Sequence, residues 1–128
     1  MAEPHPEVID PRHPLVKRVR SICMRFPDAA EVTAWGRPTF RAGKKIFLIV
    51  SSTMDRPHTV VFKPSEETHR AFSQDDRFFP PKYWGKAGWL ALDIGDETDW
   101  DEIAEIADES YRQVALVRQI RELDASTP

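Results

Sequence analysis

Cysteine is nearly missing from this chain. Cys23 is the single thiol in 128 residues, which excludes an intramolecular disulfide, a CxxC redox pair and a thiolate metal cage. No run approaches the roughly 18 apolar residues of a membrane span, and "MAEPHPEVIDPRHP" has neither a basic n-region nor an apolar h-region. Membrane insertion and secretion are therefore not expected, and a reducing cytoplasm is. The sequence also lacks GxSxG, GxxxxGK[ST], HExxH and GxGxxG. Its histidines, His5, His13, His58 and His69, have no ligand spacing among them, and acidic pairs such as Asp75-Asp76, Asp93 with Asp96, and Asp108-Glu109 read as solvated faces. No catalytic residue, metal site or cofactor is expected, and the chain reads as a non-enzyme.

What remains is an ordinary soluble composition, 41% apolar and 30% charged, sized for one core. The net charge of -3 conceals a division. Residues 12–89 hold 15 Lys/Arg against 7 Asp/Glu, whereas residues 90–128 hold 3 against 11. Such a molecule has two electrical sides, one of which can attract anions.

Residues 1–12, with Pro4, Pro6 and Pro11, lack periodicity and read as a flexible lead-in. From Pro14, "PLVKRVRSICMRFP" spaces Leu15, Val19, Ile22, Cys23 and Phe26 as an amphipathic helix that stops before Pro27. Cys23 on that stripe reads as a buried, inert thiol. "EVTAWGRPTFRAGKKIFLIVSS" alternates, with Val32, Ala34, Phe40, Ile46, Leu48 and Val50 as the inward set, and turns at residues 36–38 and 43–44. "HTVVFK" is a further strand, "PSEETHRAFS" a short helix capped by Ser65, and "GWLALDI" a last strand. "DWDEIAEIADESYRQVALVRQIREL" then predicts one long helix with Asp99 as N-cap and Glu102 as its N3 partner. Grouped strands between helices argue an α+β fold, an antiparallel sheet with the N- and C-terminal helices on one face. One domain is expected over residues 13–123, followed by a tail at 124–128.

The chemistry-bearing constellation is basic and aromatic. Arg37, Arg41, Lys44 and Lys45 surround "RAGKK", and Lys82, Tyr83, Trp84 and Lys86 surround "PPKYWGK". Two turns projecting from one sheet edge would offer cations to phosphate and rings to bases, giving weak, salt-sensitive DNA binding. The alternative is a small-molecule binder in which Trp35, Phe40, Phe79, Tyr83, Trp84 and Trp89 line a cleft. A third reading is a subunit that docks through its exposed aromatics and acidic helix; a monomer is the expected state.

Three segments carry a resemblance to a known family. "WGRPTFRAGKKIFLIV", "VVFKPSEETHRAF" and "KYWGKAGWLALDI" with "DWDEIAEIADESYRQVA" together resemble the small bacterial proteins of the MmcQ/YjbR family, in element order over roughly residues 13–122. The resemblance implies a CyaY-like (frataxin-like) fold and double-wing DNA binding. Many members carry an Asn-Lys-x-His-Trp hairpin; Lys86 and Trp89 match it here, while Gly85 and Gly88 stand where the Asn and His would be. The frataxin-like fold also raises iron binding, yet "RHPLVKRVRSICMRF" has none of the acidic residues that such a first helix would present.

Overall fold

Pro14 opens the first helix, α1 (Pro14–Cys23), from a fixed φ suited to a first turn, and His13 caps it by accepting the Leu15 N–H at Nδ1, 3.0 Å. The structure, a computed structural model, describes residues 7–126. Three strands follow as a meander, β1 (Ala29–Ala34), β2 (Arg37–Ala42) and β3 (Lys45–Val50), then β4 (Thr59–Phe62). Helix α2 (Glu66–Phe72), strand β5 (Phe78–Phe79), a 3₁₀ turn (Gly85–Ala87), strand β6 (Leu90–Asp93), and helices α3 (Trp100–Val114) and α4 (Val117–Ser126) complete the chain. All neighbours in the six-stranded sheet are antiparallel, in the order β1-β2-β3-β4-β6-β5. The α+β architecture with helices on one face is as the sequence predicts.

That face carries the main core. Phe40, Leu48, Val50, Val60, Phe62, Leu90 and Leu92 meet Val16, Val19 and Cys23 of α1 and Ile103, Ile106, Ala107 and Tyr111 of α3. The predicted alternation breaks in β3. Phe40 pairs with Leu48 but Arg41 pairs with Ile46, so Phe47 is an extra residue, a bulge that turns both Phe47 and Leu48 into the core. Ile46, expected inward, consequently faces the other side with Ile49. Val32, also expected inward, is exposed on the edge strand β1.

Among the described residues no α-helix covers the second face. Ile49, Val61 and Ala91 are nevertheless buried there, because the β5–β6 connection folds over them and sets Trp84, Trp89 and Phe79 against them. Burying each of the two larger side chains is worth about 1.5–3 kcal/mol, which gives this connection a packing role.

Three expectations about the chain's ends are corrected. Ile9, assigned to the lead-in, is buried in the main core. Ala115 is extended (ψ 156°), so the single long C-terminal helix is two, and Gln119 Oε1 accepts the Leu116 N–H at 2.8 Å to start the second. Residues 124–126, assigned to the tail, belong to α4. The rest of the expected lead-in, residues 1–6 with His5, and the final two residues of the expected tail lie outside the described residues.

Candidate functional site

Register places the basic residues. β2 ends, β3 begins, β4 ends and β6 begins at one edge of the sheet, since Ala42 pairs with Lys45, Leu48 with Phe62, and Phe62 with Leu90. Lys44 and Lys45 sit on the tight turn there, which Gly43 makes with φ +64°. Lys63 follows β4 at the same edge, Lys86 lies on the connection that re-enters the sheet there, and Lys82, on the same connection, adjoins Tyr83. Lys63 and Lys86 share an open groove with His69, Arg70 and Glu66. Among the described residues none of these five lysines is in an ion pair, whereas Arg12, Arg20, Arg56, Arg77, Arg112 and Arg118 all are. Sequence reasoning passed over Lys63; its signal is its position immediately after "HTVVF", a strand antiparallel to the one that begins at Lys45.

The opposite edge is acidic. Asp93, Asp96, Glu97, Asp99 and Glu102 line an open groove beyond the end of β6. Arg77 lies between Asp75 (2.9 Å) and Glu102 (3.0 Å), and Arg56 pairs with Asp93 at 2.6 Å. Among the described residues no group of three or more His, Cys, Asp or Glu side chains could hold a metal ion, and no helix is long and apolar enough to cross a membrane. The His13 and His58 rings, distant in sequence, meet at 4.8 Å.

Arg37 does not join the lysines, whereas Arg41, beside Ala42 at the end of β2, lies at their edge. Arg37 begins β2 at the acidic edge, where Nη1 donates to the carbonyls of Ser51 (3.1 Å) and Ser52, and Nε to that of Trp35 (3.2 Å). Burial shifts the Arg37 pKa downward. Arg41 Nε donates to Thr39 Oγ1 at 3.3 Å.

The six aromatics predicted for one cleft are divided. Phe40 is excluded from any cleft, fully buried in the main core on the helix-covered face. Phe79 packs beneath the Arg56 guanidinium, 3.8 Å from its ring centroid, and Trp89 packs on the second face. Trp35, Tyr83 and Trp84 do converge, lining with Arg37 an open recess of about 440 Å³. The Trp35 ring stands at 65° to Trp84 with centroids 5.7 Å apart, and Tyr83 at 86° and 6.3 Å.

Both outer rings stand on unusual backbone. Trp35 (φ +54°) and Gly36 (φ +76°) form the two-residue turn between β1 and β2, at the position where Asn is favoured because a bulky side chain is strained. Tyr83 (φ +73°) is the centre of a γ-turn closed by Trp84 N–H on Lys82 O at 3.0 Å, also a strained form. Trp35 is 41% exposed and Tyr83 80%. The fold thus holds two large apolar rings toward solvent at a backbone cost of order 1–3 kcal/mol each.

The family model described as YjbR matches residues 24–113. Among solved structures, the crystal structure of the Deinococcus radiodurans protein DR2400, described with a DUF419 domain, is similar with a TM-score of 0.67 at 19% identity, over 85% of this chain and 87% of that chain. At that identity the likeness is one of fold. No curated protein matches. Since the YjbR match takes in well over half of the sequence and the neighbouring structure has the same architecture, the chain belongs to the MmcQ/YjbR family.

Proposed function

We propose that this protein is a non-enzymatic nucleic-acid-binding module whose lysine edge engages the phosphate backbone. The observation that carries the reading is the gathering of Lys44, Lys45, Lys63 and Lys86 at one sheet edge, with Lys82 on the connection that leaves it, all without carboxylate partners among the described residues. Cations already neutralised by carboxylates gain little from a phosphate. Unpaired ones release counterions from the polyanion when they dock, and the carboxylates of Asp93, Asp96, Glu97, Asp99 and Glu102 at the far edge orient the molecule. Glycines at positions 85 and 88 leave no side-chain donors there for base edges, which favours contacts indifferent to sequence.

The test is fluorescence anisotropy of a labelled duplex between 50 and 200 mM salt, with the parent and a Lys44/Lys45/Lys82/Lys86→Ala variant. Four neutralised phosphates predict a fall of about two orders of magnitude in affinity over that range for the parent, and a flatter salt dependence for the variant. Binding indifferent to salt and to the four changes would refute the reading. A small-molecule binder is the second reading, favoured by the recess of Trp35, Arg37, Tyr83 and Trp84. It predicts thermal stabilisation by a planar compound in the four-lysine variant as much as in the parent.

A further inference from the structure

We infer that the recess of Trp35, Arg37, Tyr83 and Trp84 receives one unstacked nucleobase, so that the protein holds single strands in preference to duplex. The inference rests on the nucleic-acid reading above, but its ring and guanidinium contacts use residues outside the lysine set. Trp84 supplies a ring already packed on the sheet, and Trp35 and Tyr83 rise steeply from it. A planar ligand entering between such faces finds stacking and edge contacts worth about 1–3 kcal/mol per base.

Charge selects among planar and cationic occupants. Three inclined rings alone would suit a quaternary ammonium, but the Arg37 guanidinium lines the same recess and repels a cation. Two of its nitrogens, Nε and Nη1, are committed to backbone carbonyls, which fixes the group; Nη2 has no hydrogen-bond partner among the described residues. A held donor beside aromatic faces matches a base, whose ring stacks and whose carbonyl or ring nitrogen accepts. Lys82 Nζ lies 5.6 Å from the Tyr83 ring centroid, close enough to serve the phosphate attached to a base in the recess. A base within a duplex cannot enter, because both its faces are already stacked. The strained backbone at Trp35 and Tyr83 fits this use, since both rings would pack at lower cost from ordinary φ.

Two measurements test it. In the first, a labelled 12-nucleotide thymidine oligomer and a duplex of equal length are titrated by anisotropy at low salt. Tyr83→Ala, a change at an exposed side chain, is expected to weaken the single strand about 5- to 50-fold and leave the duplex unchanged. Lys44→Ala/Lys45→Ala is expected to weaken both. Equal loss for strand and duplex in Tyr83→Ala, or no preference for the single strand in the parent, overturns the inference and leaves the lysine reading standing. In the second, deoxyguanosine monophosphate, too short to span the lysine edge, is titrated while the indole N–H resonances of the four tryptophans are followed by NMR. Saturable shifts of Trp35 and Trp84, lost in Tyr83→Ala, are expected also in Lys44→Ala/Lys45→Ala, which leaves Lys82 in place. Absence of those shifts overturns the inference, and failure of the lysine changes alone overturns only the reading beneath it.

Discussion

Ser110 Oγ donates a hydrogen bond to the carbonyl of Phe47, the extra residue of the β3 bulge, and accepts one from the Lys63 backbone N–H at 2.8 Å. A bulge leaves a backbone group outside the ladder, and a buried serine on α3 satisfies it. The same side chain fixes the chain at the end of β4, the point from which Lys63 leaves the sheet. Tyr111, next in sequence, donates to Pro27 O at 2.7 Å. Ser110 and Tyr111 thus tie α3 both to the sheet and to the segment after α1.

Ser110→Ala therefore leaves an acceptor and a donor without partners. We expect a loss of about 2–4 kcal/mol, read as a lower urea midpoint with an unchanged denaturant slope. A loss under about 0.5 kcal/mol would mean that water or another group satisfies the bulge.

The turn at Trp35 yields a comparison between two variants that both remove the ring. Trp35→Asn suits a left-handed position and Trp35→Ala does not, so the Asn variant is expected to be more stable by about 1 kcal/mol. Both should lose the single-strand preference proposed above. Equal stability of the two would show that the left-handed conformation does not persist without the indole.

Caps and periodicity made much of the fold legible. Ser65 accepts the Thr68 N–H at 3.2 Å, and Asp99 accepts from Asp101 and Glu102, each where its sequence context places it. Glu102 takes Arg77 as partner instead of closing the capping box. The bulge was not legible, because strict alternation in "KKIFLIV" is as good a pattern with Ile46 inward as outward. Nor was the break at Ala115, where no Ser, Thr, Asp or Asn announces a second N-cap and the responsible group is the side chain of Gln119. At the candidate site the sequence gathered the right residue types but not their grouping. Which aromatics share a recess depends on the β5–β6 connection folding across the sheet to bring Trp84 to Trp35, a contact spanning almost fifty positions.

Cys23 tests the main core from inside. It is fully buried between α1 and the sheet, and burial pushes its thiol pKa well above the ordinary value. The native protein is expected to react with a thiol reagent about a thousandfold more slowly than the urea-unfolded chain, because the sulfur is reached only through opening of the fold. Rapid native labelling would place α1 among the loosely held parts of the molecule.

Asp28 links the start of the sheet to the last helix. It stands at φ +57° between α1 and β1; its carboxylate accepts from Gln119 Nε2 and Arg118 Nη2, both at 3.0 Å. The Gln119 amide, and after it the Arg118 guanidinium, hold the carboxyl below the usual carboxylate range. A depressed folded pKa contributes stability that is present above the unfolded value of about 4 and is lost as pH falls through the folded value. Asp28→Asn keeps the tolerance for left-handed backbone and removes the charge. Its urea midpoint is expected to lie below that of the parent at pH 7, with the difference shrinking as pH drops below about 4. Other carboxylates with lowered pKa, Asp10 and Asp75, titrate in both proteins and cancel in the comparison. A difference that persists or widens in acid would mean that Asp28 acts through its backbone conformation and hydrogen-bonding shape, with its charge contributing nothing to the junction of β1 and α4.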